Sequence, residues 1–255
     1  MYQRPNISKV YEGKVKPFKI VDDVYFVGTF QESAHLIDTG DGLILLDVGD
    51  MPTLYLVIES IWELGFNPHD IKYILNTHWH DDHTGSTAAM ADLSGAKTFI
   101  GHKELPHLER EGYFIPDVLL YDGDEIKLGN KTIKCIETPG HTQGTMSYFF
   151  DTVSGGKTYH VGMFGGAGAN TLVSTVPTAY PNCRQEYLDS IERLLKIHVD
   201  VFIGNHCWNN NTLEKAKILA EGKENPFIDN NEEWTRFLNF CKKRCMELPE
   251  FKWEG

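Results

Sequence analysis

Ile71-Lys72-Tyr73-Ile74-Leu75-Asn76-Thr77-His78-Trp79-His80-Asp81-Asp82-His83-Thr84-Gly85 joins an apolar, strand-like run to three imidazoles interleaved with carboxylates. His78 and His80 are two residues apart, so on an extended chain leaving a strand their rings fall on the same side and can share one ion. Asp82 and His83 follow where the small-residue run Thr84 to Met90 turns helical, and that turn aims them at a second position nearby. Imidazole and carboxylate ligands with no thiolate suit zinc, with iron or manganese as competitors. A polar loop whose histidines merely face water would not need distant partners; a metal site would.

Such partners exist. Thr138-Pro139-Gly140-His141-Thr142-Gln143-Gly144-Thr145 places a histidine after the strand pattern Thr132-Ile133-Lys134-Cys135-Ile136, and Val201-Phe202-Ile203-Gly204-Asn205-His206 does the same further along. Each histidine ends a β-rich run, where residues from sheet edges can converge.

Together these segments resemble the metallo-β-lactamase superfamily, with its His-x-His-x-Asp-His motif, its Gly-His-Thr-x-Gly segment and its late strand-end histidine. The resemblance runs from about Val24 to His206 and takes in Leu43-Ile44-Leu45-Leu46-Asp47-Val48-Gly49, which looks like the family's early strand ending in Asp-x-Gly. It implies a first metal held by His78, His80 and His141 and a second held by Asp82, His83 and His206, with one or two zinc ions per chain. Asp47 would orient a ligand imidazole, as carboxylates behind zinc-bound histidines do.

One strand departs from the commonest pattern. Glyoxalase II and the phosphodiesterase branches carry a bridging Asp in a Gly-Asp dipeptide after the Gly-His-Thr segment. Here that strand reads Thr158-Tyr159-His160-Val161-Gly162-Met163-Phe164-Gly165-Gly166, with Met163 or Gly162 where the Asp would fall. The β-lactamase branches also lack it: one type supplies a Cys from this strand, and another uses only His and Asp. With no Cys there, this chain looks like the second type, and the loop Gly165 to Ala169 and the segment leading to Pro181 resemble the same region of those enzymes.

The resemblance implies a zinc-dependent hydrolase in which a metal-bound hydroxide attacks the carbonyl of a small amide, lactam, lactone, ester or thioester. His78, His80, His141 and Asp82 would form the catalytic set, with Asp82 fixing the nucleophile and accepting its proton. The groove above the metals would be bounded by Phe30 and Gln31, by Gly112 to Pro116, and by Asn170, Asn209 and Asn210. Two other readings share the motif: an iron-dependent redox enzyme of the persulfide dioxygenase or flavodiiron kind, and a metal-binding protein without turnover. The missing bridging Asp, and His80 where a flavodiiron protein has Glu, stand against the first; six filled ligand positions stand against the second.

Strand patterns fall at Val24 to Val27, His35 to Thr39 and Leu43 to Asp47, with a helix at Thr53 to Leu64. A second group falls at Glu125 to Leu128, Lys131 to Glu137, Thr145 to Asp151 and Lys157 to Val161. Helices over Cys183 to Ile197 and around Trp234, Phe237, Leu238, Cys241 and Cys245 each carry an apolar stripe. Strands grouped into sheets with helices outside predict an αββα sandwich, two packed mixed β-sheets flanked by helices.

A chain of 255 residues, 41% hydrophobic, can bury one two-layer core, so residues 1–255 are expected to form a single domain. The net charge of −12 argues against nucleic acid, whose binding needs clustered Lys and Arg. A small-molecule substrate is the expected partner; the residues do not fix an oligomeric state. Five cysteines, with no Cys-x-x-Cys pair, cannot make a complete disulfide set and fit a reducing compartment. Cys207 beside His206 is a rival ligand, but an adjacent extended side chain points away. No apolar run of signal-peptide length follows Met1 and none reaches about 20 residues. The expectation is a cytoplasmic protein with no membrane partner.

Overall fold

Leu43, Ile44, Leu45 and Leu46 are all buried, yet successive side chains serve different layers. Ile44 and Leu46 join the apolar core between two sheets, while Leu43 and Leu45 pack with helices on the far side. A strand covered on both faces reads as a continuous apolar run, whereas alternation would mark one open face.

The computed structural model describes residues 7–176 and 178–251. Its first sheet runs in spatial order through β1 (Phe18–Val21), β2 (Val24–Phe26), β3 (His35–Asp38), β4 (Leu43–Leu46), β5 (Ile71–Leu75), β6 (Lys97–Gly101) and β7 (Val118–Leu120). β1 to β4 pair antiparallel and β4 to β7 pair parallel. The parallel crossovers carry α1 (Leu54–Glu63), the short α2 (Asp81–Thr84) with α3 (Thr87–Ser94), and α4 (Leu105–Glu111).

In the second sheet β8 (Glu125–Leu128), β9 (Lys131–Glu137), β10 (Met146–Ser154) and β11 (Lys157–Met163) form an antiparallel meander. After α5 (Cys183–Leu194), β12 (Val201–Phe202) lies parallel to β11 at the edge. α6 (Thr212–Ala220) and α7 (Glu232–Met246) follow. The architecture is the αββα sandwich of two mixed sheets that the sequence predicts.

Three apolar layers hold it. Ile20, Phe26, Ile37, Ile44 and Leu75 of the first sheet meet Ile133, Tyr148, Phe150, Val161 and Met163 of the second. Val57 and Ile61 of α1 and Met90 of α3 cover the outside of the first sheet. α5 and α7 cover the second through Tyr187, Ile191, Leu194, Trp234, Phe237, Leu238, Cys241 and Cys245, so the two stripes read from the sequence are core. Trp234 is fully buried, with its ring 5.2 Å from Phe202 and 6.0 Å from Phe149.

β8 and β9 have the expected bounds, and most other elements shift by a residue or two. β10 runs further than expected because Thr152 to Ser154 pair with Lys157 to Tyr159 around a Gly155-Gly156 turn, and β11 because Gly162 and Met163 pair with Phe149 and Tyr148. α5 ends at Leu194, three residues short of Ile197. β1, β6, β7, α4 and α6 have no counterpart in the sequence reading.

The topology fixes where chemistry can sit. β4, β5, β9, β11 and β12 all end at one edge of the sandwich, and the segments leaving them carry Asp47, His78, His141, Gly165 and His206. The Met146 amide donates to the Thr77 carbonyl at 2.8 Å, joining the two sheets at that edge.

Candidate metal centre

Asp47 organises the loop after β5. It adopts a left-handed backbone conformation (φ 55°), which Asp tolerates better than most residues, and its carboxylate is buried. Oδ1 accepts from the Thr77 amide at 2.7 Å, and Oδ2 accepts from the Thr77 hydroxyl at 2.9 Å and from His83 Nδ1 at 2.8 Å. Asn76 closes the same loop by donating to the His83 carbonyl at 3.1 Å and to Thr87 Oγ1 at 3.0 Å. Asp47 thus orients an imidazole, as expected, and the imidazole is that of His83. With Nδ1 committed, His83 presents Nε2, a buried atom with no hydrogen-bond partner.

His141 Nε2 lies 3.2 Å from His78 Nε2 and 3.1 Å from His80 Nδ1. His141 Nδ1 donates to the Gly168 carbonyl at 2.8 Å, and His78 Nδ1 lies 3.0 Å from the Thr77 hydroxyl that already donates to Asp47. The facing atoms of His78 and His141 are therefore lone-pair nitrogens, which cannot satisfy each other but can share a cation. Their spacing approaches the ligand-to-ligand edge of about 3.3 Å in a tetrahedron with zinc–nitrogen bonds of about 2.0–2.1 Å. Burial, then the neighbouring imidazoles, holds His78 and His80 well below the ordinary 6.5 and His141 at about 4. These three rings are neutral at pH 7 and ready to ligate. A Cβ on Gly168 would sit 3.0 Å from His141 Cε1, so glycine is what lets this carbonyl reach the ring.

Asp82, His83 and His206 form a second group whose ligand atoms lie within 4.8 Å of one another, the same limit met by the first. Asp82 Oδ2 is 3.7 Å from His83 Nε2 and 3.8 Å from His206 Nε2. His206 Nδ1 faces the Gln31 carbonyl at 3.1 Å. The His78 and His83 ring centroids are 4.2 Å apart, so the groups are contiguous. Burial opposes the charge on Asp82, but His83 and His206 overcome it and hold the carboxyl at about 2. His83 is the converse: burial disfavours the imidazolium, yet Asp82 and Asp47 raise it to about 9. His206 falls to about 4, chiefly through burial. The six residues singled out in the sequence are thus brought together as two donor sets, and an orphaned Nε2 beside converging lone pairs fits a metal.

The neighbouring positions divide differently. Along β11, Met163 turns into the core between the sheets, whereas a Cβ on Gly162 would meet Val199 Cγ2 at 2.6 Å on the helix side, so Met163 occupies the position facing inward. Cys207 points away from the ligands, donating to the Thr29 carbonyl at 3.1 Å, and burial pushes its thiol up to about 12. Asn209 and Asn210 do not line a groove. Asn209 Oδ1 accepts from the His206 amide at 3.0 Å and Asn210 donates to the Phe202 carbonyl at 2.7 Å, so both brace the His206 loop. Gln31 is buried, Asn170 and Phe30 are exposed, and Ile115 projects with 87% of its surface free.

Two residues escaped the sequence reading. Trp208 lies parallel to His206 (5.5 Å, 14°) with 42% of its surface open, and an aromatic two residues beyond a ligand was an available signal. Glu104 is fully buried and accepts from Thr142 Oγ1, the Gly144 amide and the Trp79 amide. Burial raises its carboxyl to about 7. Nothing in the local pattern Gly101-His102-Lys103-Glu104 marks it.

Residues 27–206 match the family model of the metallo-β-lactamase superfamily. The chain belongs to the metallo-β-lactamase superfamily. Within it, the chain is similar to a subclass B3 metallo-β-lactamase of Bradyrhizobium japonicum (TM-score 0.85, 28% identity, 94% of this chain and 95% of that one). The native metallo-β-lactamase of Legionella gormanii is similarly close (TM-score 0.84, 26% identity, 96% and 97%). By sequence, the chain is 31% identical to a lactamase-like protein of Emericella nidulans over 57% of its own length and 41% of the relative's. It is 30% identical to a hydroxyacylglutathione hydrolase of a Chelativorans species over 40% and 36%. The matched segments thus span less than half of these two superfamily relatives.

Proposed function

We propose that this chain is a zinc-dependent hydrolase of small carboxylic derivatives, namely lactams, lactones, esters and thioesters. The observation that carries the reading is the pair of contiguous donor sets, one with nitrogens converging within 3.2 Å and the other holding the orphaned His83 Nε2. The similarity to metallo-β-lactamases, one of subclass B3, over nearly whole chains, and to a hydroxyacylglutathione hydrolase over part of one, supports the carbonyl as the group attacked.

His78, His80 and His141 would hold the first ion, and Asp82, His83 and His206 the second. Zinc in such a setting lowers the pKa of water to about 7 and polarises a carbonyl as a Lewis acid. The chain supplies the rest. Asp82, ionised down to about pH 2, lies beside the second set with an oxygen able to orient a nucleophile and take its proton. Asp47 and the Gly168 carbonyl accept from Nδ1 of His83 and His141, which turns Nε2 of each ring toward its donor set. Trp208, stacked on His206 and partly exposed, offers aromatic surface for the apolar part of a substrate.

The net charge of −12 favours a small-molecule partner over nucleic acid. Among the described residues no helix is long and apolar enough to cross a membrane. Five free, buried thiols suit a reducing compartment such as the cytoplasm. Metal analysis of the purified protein, coupled to hydrolysis of a panel of β-lactams, lactones and thioesters with and without a chelator, tests the proposal. Zinc at up to two per chain with chelator-sensitive turnover is expected; a protein that takes up no zinc, or turnover that chelation leaves intact, overturns it.

A further inference from the structure

The first donor set is drawn from two loops distant in sequence, one carrying His78 and His80 and the other His141. Between them lies Glu104, at the start of α4. Its Oε1 accepts from Thr142 Oγ1 at 2.7 Å and from the Gly144 amide at 2.6 Å, and its Oε2 accepts from the Trp79 amide at 3.1 Å. Trp79 stands between His78 and His80 in the chain, and Thr142 follows His141 directly.

The backbone is shaped to allow this contact. A Cβ on Gly144 would lie 2.7 Å from Glu104 Oε1 and 2.8 Å from the Glu104 amide, and a Cβ on Gly101 would lie 2.0 Å from the Gly144 carbonyl. Two glycines therefore let the end of β6, Glu104 and the His141 loop interlock. A carboxylate with no exposed surface is costly unless its oxygens are filled by donors. Here the donors come from both ligand loops, so any displacement of one loop relative to the other leaves a buried acceptor unpaired. That is a mechanical reason for the imidazole nitrogens to hold their spacing before an ion arrives.

We infer that Glu104 is a positioning residue which ties the two loops of the first metal site into register, and so sets the affinity of that site separately from the second. The inference rests on the metal centre proposed above, and the experiment separates the two. Glu104→Gln keeps the shape of the side chain but turns an amide N–H toward at least one of the three donors. Metal-free wild type and variant are titrated with cobalt(II), whose absorption bands distinguish a three-imidazole site from one containing a carboxylate. Backbone amide exchange of the metal-free proteins is followed in parallel.

Loss of a partner behind the ligands should weaken the first site by about 10–100-fold. The second site should keep its affinity, and the Trp79 amide should exchange faster while amides of β9 stay protected. Thr142→Val removes one donor from the opposite side, so its effect on the first site should be smaller and less than additive with Glu104→Gln. Thr142→Ser, which keeps the hydroxyl, should restore the wild-type value. Equal weakening of both sites would reduce Glu104 to a general support of the fold and overturn the inference. So would an unchanged first site, or an unchanged Trp79 exchange rate. Wild type that takes up no cobalt would instead sink the metal-centre reading itself, an outcome recognisable without the variants.

Discussion

His83 faces two carboxylates inside the protein, and that contact decides how the second donor set takes up metal. At neutral pH the ring carries a proton, because Asp82 and Asp47 outweigh burial and raise it to about 9. Its Nδ1 is committed to Asp47, so an ion can reach Nε2 only after that proton leaves. Affinity of the second set should therefore rise by about tenfold per pH unit from neutrality up to the His83 value and then level off. The first set should show no such slope, since burial already keeps His78, His80 and His141 neutral. Zinc calorimetry near pH 7 in buffers of different ionisation enthalpy should find about one more proton released by the second set than by the first, beyond whatever metal-bound water loses at either. Equal release from both would contradict the assignment. In the metal-free protein the raised His83 contributes stability that is complete below 6.5 and is lost as pH rises through about 9. The depressed Asp82 contributes stability present above 3.8 and lost as pH falls through about 2. Asp82 also touches both imidazoles of its set, whereas Cys207 bonds away toward Thr29. Asp82→Ala should then cost about 10²–10⁴-fold in kcat/KM, the usual range for a proton acceptor, with Cys207→Ala close to wild type. Equal damage from the two substitutions would refute these roles.

At the scale of elements, β11 shows how a strand's alternation chooses which side chain faces the opposite sheet. Met163 joins the core between the sheets and Gly162 faces the helix layer, where a Cβ would collide with Val199. Met163→Asp should lower the stability of the metal-free protein by burying a carboxylate, and tighten the second metal by adding an anionic ligand. Gly162→Asp should destabilise without that gain. Competitive zinc titration of both variants decides it, and tighter zinc only in Gly162→Asp would move the register by one residue. The ligand motif was legible because its residues lie within a few positions of each other at strand ends, and β8 and β9 were legible through clean alternation bounded by turns. β6 and β7 were not, because short parallel strands take their register from neighbours far along the chain, and Val118–Leu120 is too short to show a period. Glu104 is hidden for the same reason: its donors lie 25, 38 and 40 residues away. Asn209 and Asn210 misled because polar residues beside a ligand look like groove, yet each found a backbone partner that needed bracing.

Across the whole molecule, the inter-sheet core draws on strands from β1 through β12, and neither sheet can keep its inner face buried without the other. Metal-free protein should consequently unfold in one cooperative transition, with calorimetric and van't Hoff enthalpies in agreement. The donor sets sit where both sheets end and are joined through Thr77 and Met146, so metal binds a geometry that exists only while the sandwich is intact. An ion that binds the folded state alone adds about 2.7 kcal/mol at a free concentration 100 times its Kd. In a chain of this size each kcal/mol moves the midpoint by about 2–4 °C, so each bound zinc should raise Tm by about 5–10 °C and a chelator should reverse the change. His80→Ala removes one of three donors from the first set and should keep only the part of the shift owed to the second. Scanning calorimetry of both proteins, with and without zinc, reads all of this at once: two separate transitions would break the single-domain expectation, and a wild-type midpoint indifferent to zinc would break the coupling between metal and fold.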